Sequence, residues 1–264
     1  MKTRSFLTTV IVAVALMATS AAQAVVPSDH TIMKIITSAD TPEDSATEIL
    51  RRFVRPAMYT SGREVAHIRQ LNTDGNGVKS ERRLVRDEVN SENYREVVVA
   101  ETGSDRVYRD TVRHGVWTQE LKRGDRPFRT ISAAGRVSDT AYSMMDLQEH
   151  FELYQKCRIA GTDNNMVQLE CLNGPYSRVV AKLDLVGDQI CIVAKTMYSD
   201  RGEVMKTERR SEFVDVAGKP RPQHAVMVDH GDDRDPNARY DDITTELRLE
   251  WQAPVPLTDE VNNL

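Results

Sequence analysis

Apolar and polar residues alternate along most of the chain, most legibly from Tyr176 to Phe213. There Val179, Ala181, Leu183 and Leu185 interleave with Arg178, Lys182 and Asp184, the period of a strand with one apolar and one wet face. Gly187-Asp188 turns the chain into the apolar run Ile190 to Tyr198, and Ser199-Asp200-Arg201-Gly202 turns it again into a long strand whose charges are expected to face outward. Turns this short leave no room for crossover helices, so the meander is antiparallel and needs a cover from elsewhere in the chain. The same alternation marks strand segments over 64–72, 78–90, 94–101, 106–121, 128–132, 151–160, 166–172, 223–230 and 243–251, twelve with the meander, for an expected sheet of about ten or eleven strands. The doubled turn signal Asp74-Gly75-Asn76-Gly77 separates the first two.

Ahead of the strands the period changes to that of a helix. Thr41-Pro42-Glu43-Asp44 supplies an N-cap, a proline at the first helical position and acids in the first turn. Ala46, Ile49, Leu50, Phe53 and Val54 then fall on one stripe, with Glu48, Arg51 and Arg52 on the other side, and Pro56 is expected to end the helix. The alternation also breaks between Ala133 and Leu153, which reads as a loop with a helical turn around Tyr142, Met144, Met145 and Leu147.

The first 24 residues change the picture of where the protein works. A basic start at Lys2 and Arg4, an apolar stretch from Phe6 to Ala18 and Ala22-Gln23-Ala24 have the order of a secretory signal peptide cut after Ala24. The expected mature chain is one domain, residues 25–264, with no cysteine at its start to carry a lipid. Cleavage lowers the basic residues from 35 to 33 against 40 acidic ones, a net charge of −7. Without a basic block, that composition argues against nucleic acid as a partner.

An exported protein can hold disulfides. Folding the predicted hairpin about Asn164 sets Cys157 opposite Cys171, so these two are the candidate bridge and Cys191 is left over. Catalytic signatures are missing: there is no G-x-S-x-G, H-E-x-x-H, C-x-x-C, P-loop or G-x-G-x-x-G, and the six histidines stand singly. The aspartate-rich stretch 229–242 fails as an EF-hand, because Ala238 and Thr244 stand where Gly and Glu are needed. No metal site, cofactor or catalytic residue is expected. The apolar faces themselves leave two readings open. Leu247, Leu249 and Trp251 share a face of the last strand, Val97 and Val99 one of another, and Trp117 and Leu121 one of a third. They either fill a core or line a cavity.

The order of these pieces resembles the outer-membrane lipoprotein-sorting proteins, the LolA-like carriers, over 45–264. The likeness rests on Ala46–Phe53 (ATEILRRF), Val116–Ile131 (VWTQELKRGDRPFRTI), Ser138–Leu147 (SDTAYSMMDL), Leu183–Lys206 (LDLVGDQICIVAKTMYSDRGEVMK) and Thr244–Trp251 (TTELRLEW). It implies a mainly β fold with helical cover, an unclosed antiparallel β-barrel capped by the N-terminal amphipathic helix. It further implies a monomeric, non-enzymatic periplasmic carrier for an acylated lipoprotein or lipid, with an inner-membrane exporter as donor and an outer-membrane acceptor. The candidate cavity residues are then Leu50, Phe53, Val97, Val99, Trp117, Leu121, Met144, Met145, Leu183, Leu185, Leu247, Leu249 and Trp251. Two rivals remain: a periplasmic sensor or regulatory module on the same barrel, binding a membrane-protein partner, and a hydrolase built from dispersed residues.

Overall fold

The computed structural model describes residues 42–59, 62–71, 77–90, 94–113, 116–132, 135–150, 153–163, 166–173, 176–230 and 242–256. The expected signal peptide and most of the acidic stretch lie outside them. Thirteen strands form one antiparallel sheet: β1 (Gly62–Leu71), β2 (Val78–Asn90), β3 (Tyr94–Glu101), β4 (Arg106–Arg113), β5 (Val116–Arg123), β6 (Arg129–Thr130), β7 (Tyr154–Asp163), β8 (Met166–Asn173), β9 (Tyr176–Val186), β10 (Gln189–Tyr198), β11 (Val204–Val216), β12 (Lys219–Asp229) and β13 (Ile243–Trp251). Their order across the sheet is β6-β5-β4-β3-β2-β1-β13-β12-β11-β10-β9-β8-β7.

This order explains both the openness and the filling of the barrel. The first and last strands pair in the middle, with Ile68 opposite Leu249, and two meanders run outward from that seam. The edges are therefore β6 and β7, which do not pair. They are also consecutive in the chain, so the segment joining them must cross from one edge to the other. It does so on the inner face of the sheet.

Two apolar clusters share that face. The larger gathers Ile68, Leu84, Val97, Val99, Leu247 and Leu249 from the sheet with Val137, Ala141, Tyr142, Met144 and Met145 from the crossing segment. The smaller packs Ala46, Ile49 and Val54 from the N-terminal helix on Leu169, Ala181, Leu183, Ile190 and Ile192. Glu48 faces water, where Arg51 and Arg52 pair with it at 3.0 and 3.2 Å.

Several boundaries differ from the sequence expectation, each for a local reason. The stretch 106–121 is two strands, β4 and β5, because the alternation continues across the chain reversal and hides it. The helix does not stop at Pro56. Instead α1 (Pro42–Ile49) passes through a π-helical turn, Leu50–Val54, into α2 (Arg55–Met58). Proline has no N–H and its ring crowds the carbonyl four residues back, and a widened turn accommodates both. β12 begins at Lys219, four residues early, despite Pro220 and Pro222. Pairing with β13 starts only at His224, so these prolines sit where the strand has one partner and a missing donor costs little. The turn before it is built from Ala217 and Gly218 at φ 53° and 78°, a two-residue hairpin connection.

The outward-charge expectation for β11 holds for Arg209, Glu212 and Asp215, which are exposed, and fails for its three other charges. Lys206 and Glu208 are buried on the inner face, and Arg210 is nearly so, its side chain only 8% exposed.

Candidate functional site

The crossing segment is anchored by charge. Its short helix α3 (Met144–Leu147) opens with a capping box: Ser143 accepts from the Asp146 backbone, and the Asp146 carboxylate accepts from the Ser143 backbone and hydroxyl. The same carboxylate takes Lys206 Nζ at 2.7 Å and Tyr176 Oη at 2.9 Å. One turn on, Glu149 accepts from Lys195 Nζ at 2.7 Å, Arg210 Nη2 at 2.6 Å and Tyr154 Oη at 2.8 Å. Glu208 closes the group, at 2.8 Å from Arg210 and 3.0 Å from Lys195.

Burying six charges is costly unless each is matched, and here three carboxylates face three cations. Burial opposes ionisation of Glu149, but Lys195 and Arg210 outweigh it and hold its pKa at about 2. Burial likewise opposes ionisation of Asp146, and Lys206 and Lys195 reverse the balance so that its pKa is lowered. Both acids are therefore ionised at neutral pH, and α3 is tied to β10 and β11 by charge-assisted hydrogen bonds.

A second polar chain fixes the end of the segment. His150 Nδ1 lies 2.9 Å from Arg95 Nη2 and its Nε2 lies 3.1 Å from Asp110 Oδ2. A guanidinium only donates, so Nδ1 accepts and the ring proton on Nε2 goes to Asp110. Trp117 Nε1 and Gln119 Nε2 donate to the same oxygen at 3.0 and 2.7 Å, and the Trp117 ring packs on His150 with centroids 4.9 Å apart.

Between this segment and the β1–β13 seam lies a narrow cavity. Its wall is apolar: Met58, Leu84, Leu147, Pro220, Pro222, Ala225, Leu247, Leu249 and Trp251. Its floor is polar, with Tyr142, Asp146, Glu149, Glu208, Arg210 and Arg221. The space in which the centre of a water-sized sphere can move is about 60 Å³, room for a few waters or the tip of a chain. A wider groove of about 790 Å³ is lined by Lys182, Ala194, Arg209, Ser211, His224 and Val226, and it shares Lys195, Glu208 and Arg210 with the ion cluster.

The thirteen candidate residues separate into four places. Leu247, Leu249 and Trp251 stand together on the cavity wall. Val97, Val99, Met144 and Met145 are sealed in the larger cluster, with Trp117 and Leu121 half-buried at its margin. Leu50, Phe53 and Leu183 belong to the smaller cluster under the helix. Leu185 lies beyond that cover and is 38% exposed. Cys157 and Cys171 are joined as a disulfide with Cα atoms 4.1 Å apart, and Cys191 is a buried thiol. The sequence reading missed the charged floor. The even spacing of Lys206, Glu208 and Arg210 was its visible sign, and only inward-facing acids on another segment give that spacing meaning. Among the described residues no group of three or more His, Cys, Asp or Glu side chains is placed to hold a metal ion, and no helix is long and apolar enough to cross a membrane.

No protein-family model matches the sequence, and no curated protein matches it. Solved structures do. An outer membrane lipoprotein-sorting protein domain from Vibrio parahaemolyticus superposes with a TM-score of 0.63 at 17% identity, covering 84% of this chain and 98% of that one. A DUF1329 family protein from Desulfovibrio piger gives 0.65 at 13% identity, over 83% and 96% of the two chains. A LolA superfamily protein from Nitrosomonas europaea gives 0.58 at 15%, over 83% and 99%. At these identities the likeness is one of fold, and the fold is LolA-like.

Proposed function

We propose that this LolA-like chain is a periplasmic carrier that shelters the acyl part of a lipoprotein or lipid on its way toward the outer membrane, taking it from an inner-membrane donor and yielding it to an outer-membrane acceptor. The observation that carries the reading is the wall of Leu84, Leu247, Leu249 and Trp251 at the seam of an unclosed sheet, facing a segment held in place by ion pairs. Acyl chains in water cost about 0.8 kcal/mol per CH₂, so a carrier needs apolar area more than polar anchors. The resting cavity is too narrow for a whole chain. Loading therefore requires the crossing segment to shift, and its attachment through Asp146 and Glu149 gives it a discrete set of contacts to release.

Leu249 tests the reading. It is 8% exposed and lines the cavity, so Leu249→Phe adds volume where space exists. Uptake of a fluorescent acyl probe should fall severalfold while the denaturation midpoint changes little. A filled core would instead lose about 1 to 3 kcal/mol to overpacking. Clear destabilisation of the variant, together with no probe uptake by the wild type, would end the carrier reading.

A further inference from the structure

Among the described residues that line the cavity, one buried side-chain polar atom has no hydrogen-bond partner. Asp146, Glu149, Glu208 and Arg210 satisfy one another and their neighbours at the distances given above. Arg221 donates to Glu64 at 3.0 Å and to the Ala57 carbonyl at 3.0 Å. The Trp251 indole N–H goes to the Pro222 carbonyl at 2.8 Å. Tyr142 Oη is different: the residue is 1% exposed, and its hydroxyl has no hydrogen-bond partner among the described residues. A buried hydroxyl with no protein partner can give its proton to an acceptor that enters the cavity without breaking a bond within the protein.

We infer that Tyr142 Oη is a recognition point for the uncharged carbonyl of an acyl ester or amide, whose hydrocarbon chain lies along Leu84, Leu247, Leu249 and Trp251. This deepens the carrier reading and rests on it. The choice of an uncharged carbonyl follows from the floor. Three carboxylates already balance three cations, so a free carboxylate would arrive beside Asp146, Glu149 and Glu208 with no unpaired cation to meet it. The phenol also remains a donor at any working pH, since burial and the nearby Glu208 raise its pKa well above the ordinary value of 10. What it lacks is an acceptor, which an ester or amide oxygen supplies. A lipid offers the ester and an N-acylated polypeptide the amide.

The test is displacement of a fluorescent acyl probe from the wild type and from Tyr142→Phe by monolauroylglycerol, N-lauroylglycinamide and laurate at pH 8. The wild type should bind the ester or the amide more tightly than laurate. Tyr142→Phe should lose about fivefold to tenfold toward whichever the wild type prefers, the worth of one hydrogen bond, and should be unchanged toward laurate. Preference for the glycerol ester identifies a lipid source and preference for the amide an acylated polypeptide; either supports the assignment. The variant keeps the ring and loses only an unsatisfied hydroxyl, so its denaturation midpoint should not fall. Equal ester and amide binding by variant and wild type, or tighter binding of laurate, overturns the assignment of Tyr142 and leaves the carrier reading standing. Failure of all three compounds to displace the probe, or of the probe to bind, overturns both.

Discussion

Lys195, 4% exposed and shared between Glu149 and Glu208, shows what a single inward charge does in this barrel. Its ammonium is stripped of water and holds two carboxylates at once, and burial disfavouring its charge is outweighed by Glu149 and Glu208, which raise its pKa. Removing one partner of such a set leaves the others buried and unbalanced, which costs about 3 to 5 kcal/mol. Lys195→Met is therefore expected to lower stability by that amount in denaturant titrations, whereas Lys182→Met, on the exposed side of the neighbouring strand, should change it by less than about 0.5 kcal/mol. The alternation of β9 puts Lys182 on its wet face, whereas Lys195 stands in the apolar run Ile190 to Tyr198, where no alternation marks its side. The two lysines lie on opposite faces of the sheet, since Lys195 pairs with buried Ala181 and exposed Lys182 with Ala194, and the chain covers only the face that carries Lys195.

At the scale of elements, the hairpin of β7 and β8 carries its own staple. Cys157 and Cys171 close a loop with a sequence separation of 14, and a bridge of that span contributes about 3 kcal/mol by restricting the unfolded chain. The helix α1 packs over the same hairpin, so the bridge also stiffens the platform on which the helix rests. Denatured, unreduced protein should titrate one thiol, Cys191. In the folded protein that thiol should react slowly even at pH 9, since burial pushes its pKa up to about 11 and the thiolate is the reactive form. Three titratable thiols after denaturation would contradict the bridge. The pairing was legible from symmetry about Asn164 alone. The bulged register between Gln155 and Arg158 that brings Cys157 across was not, because a bulge leaves no mark in the hydrophobic pattern.

For the whole molecule, the interior ion cluster sets the response to acid. An acid whose folded pKa is depressed contributes stability that is present above its unfolded value and lost as pH falls through the folded one. With Glu149 lowered from 4.5 to about 2, and Asp146 also lowered, the thermal midpoint should hold steady from neutral pH to about 5 and fall between about 4.5 and 2. Glu149→Gln should flatten that fall while lowering the midpoint at neutral pH. A midpoint that drops already between pH 7 and 5 would show that other groups govern the transition. The alternation of apolar and polar residues by itself determined an antiparallel β protein with an amphipathic N-terminal helix, because strand and helix periods are local properties of the chain. It also exposed the apolar face carrying Leu247, Leu249 and Trp251. The tertiary structure alone decided that β1 pairs with β13, that the edges are therefore β6 and β7, and that residues 135–150 between them lie on the inside. Strand pairing is a choice among distant partners that periodicity cannot see. Once that choice is made, Lys206, Glu208 and Arg210 turn inward to meet Asp146 and Glu149, and the space left beside Leu249 becomes a narrow cavity with Tyr142 at its floor.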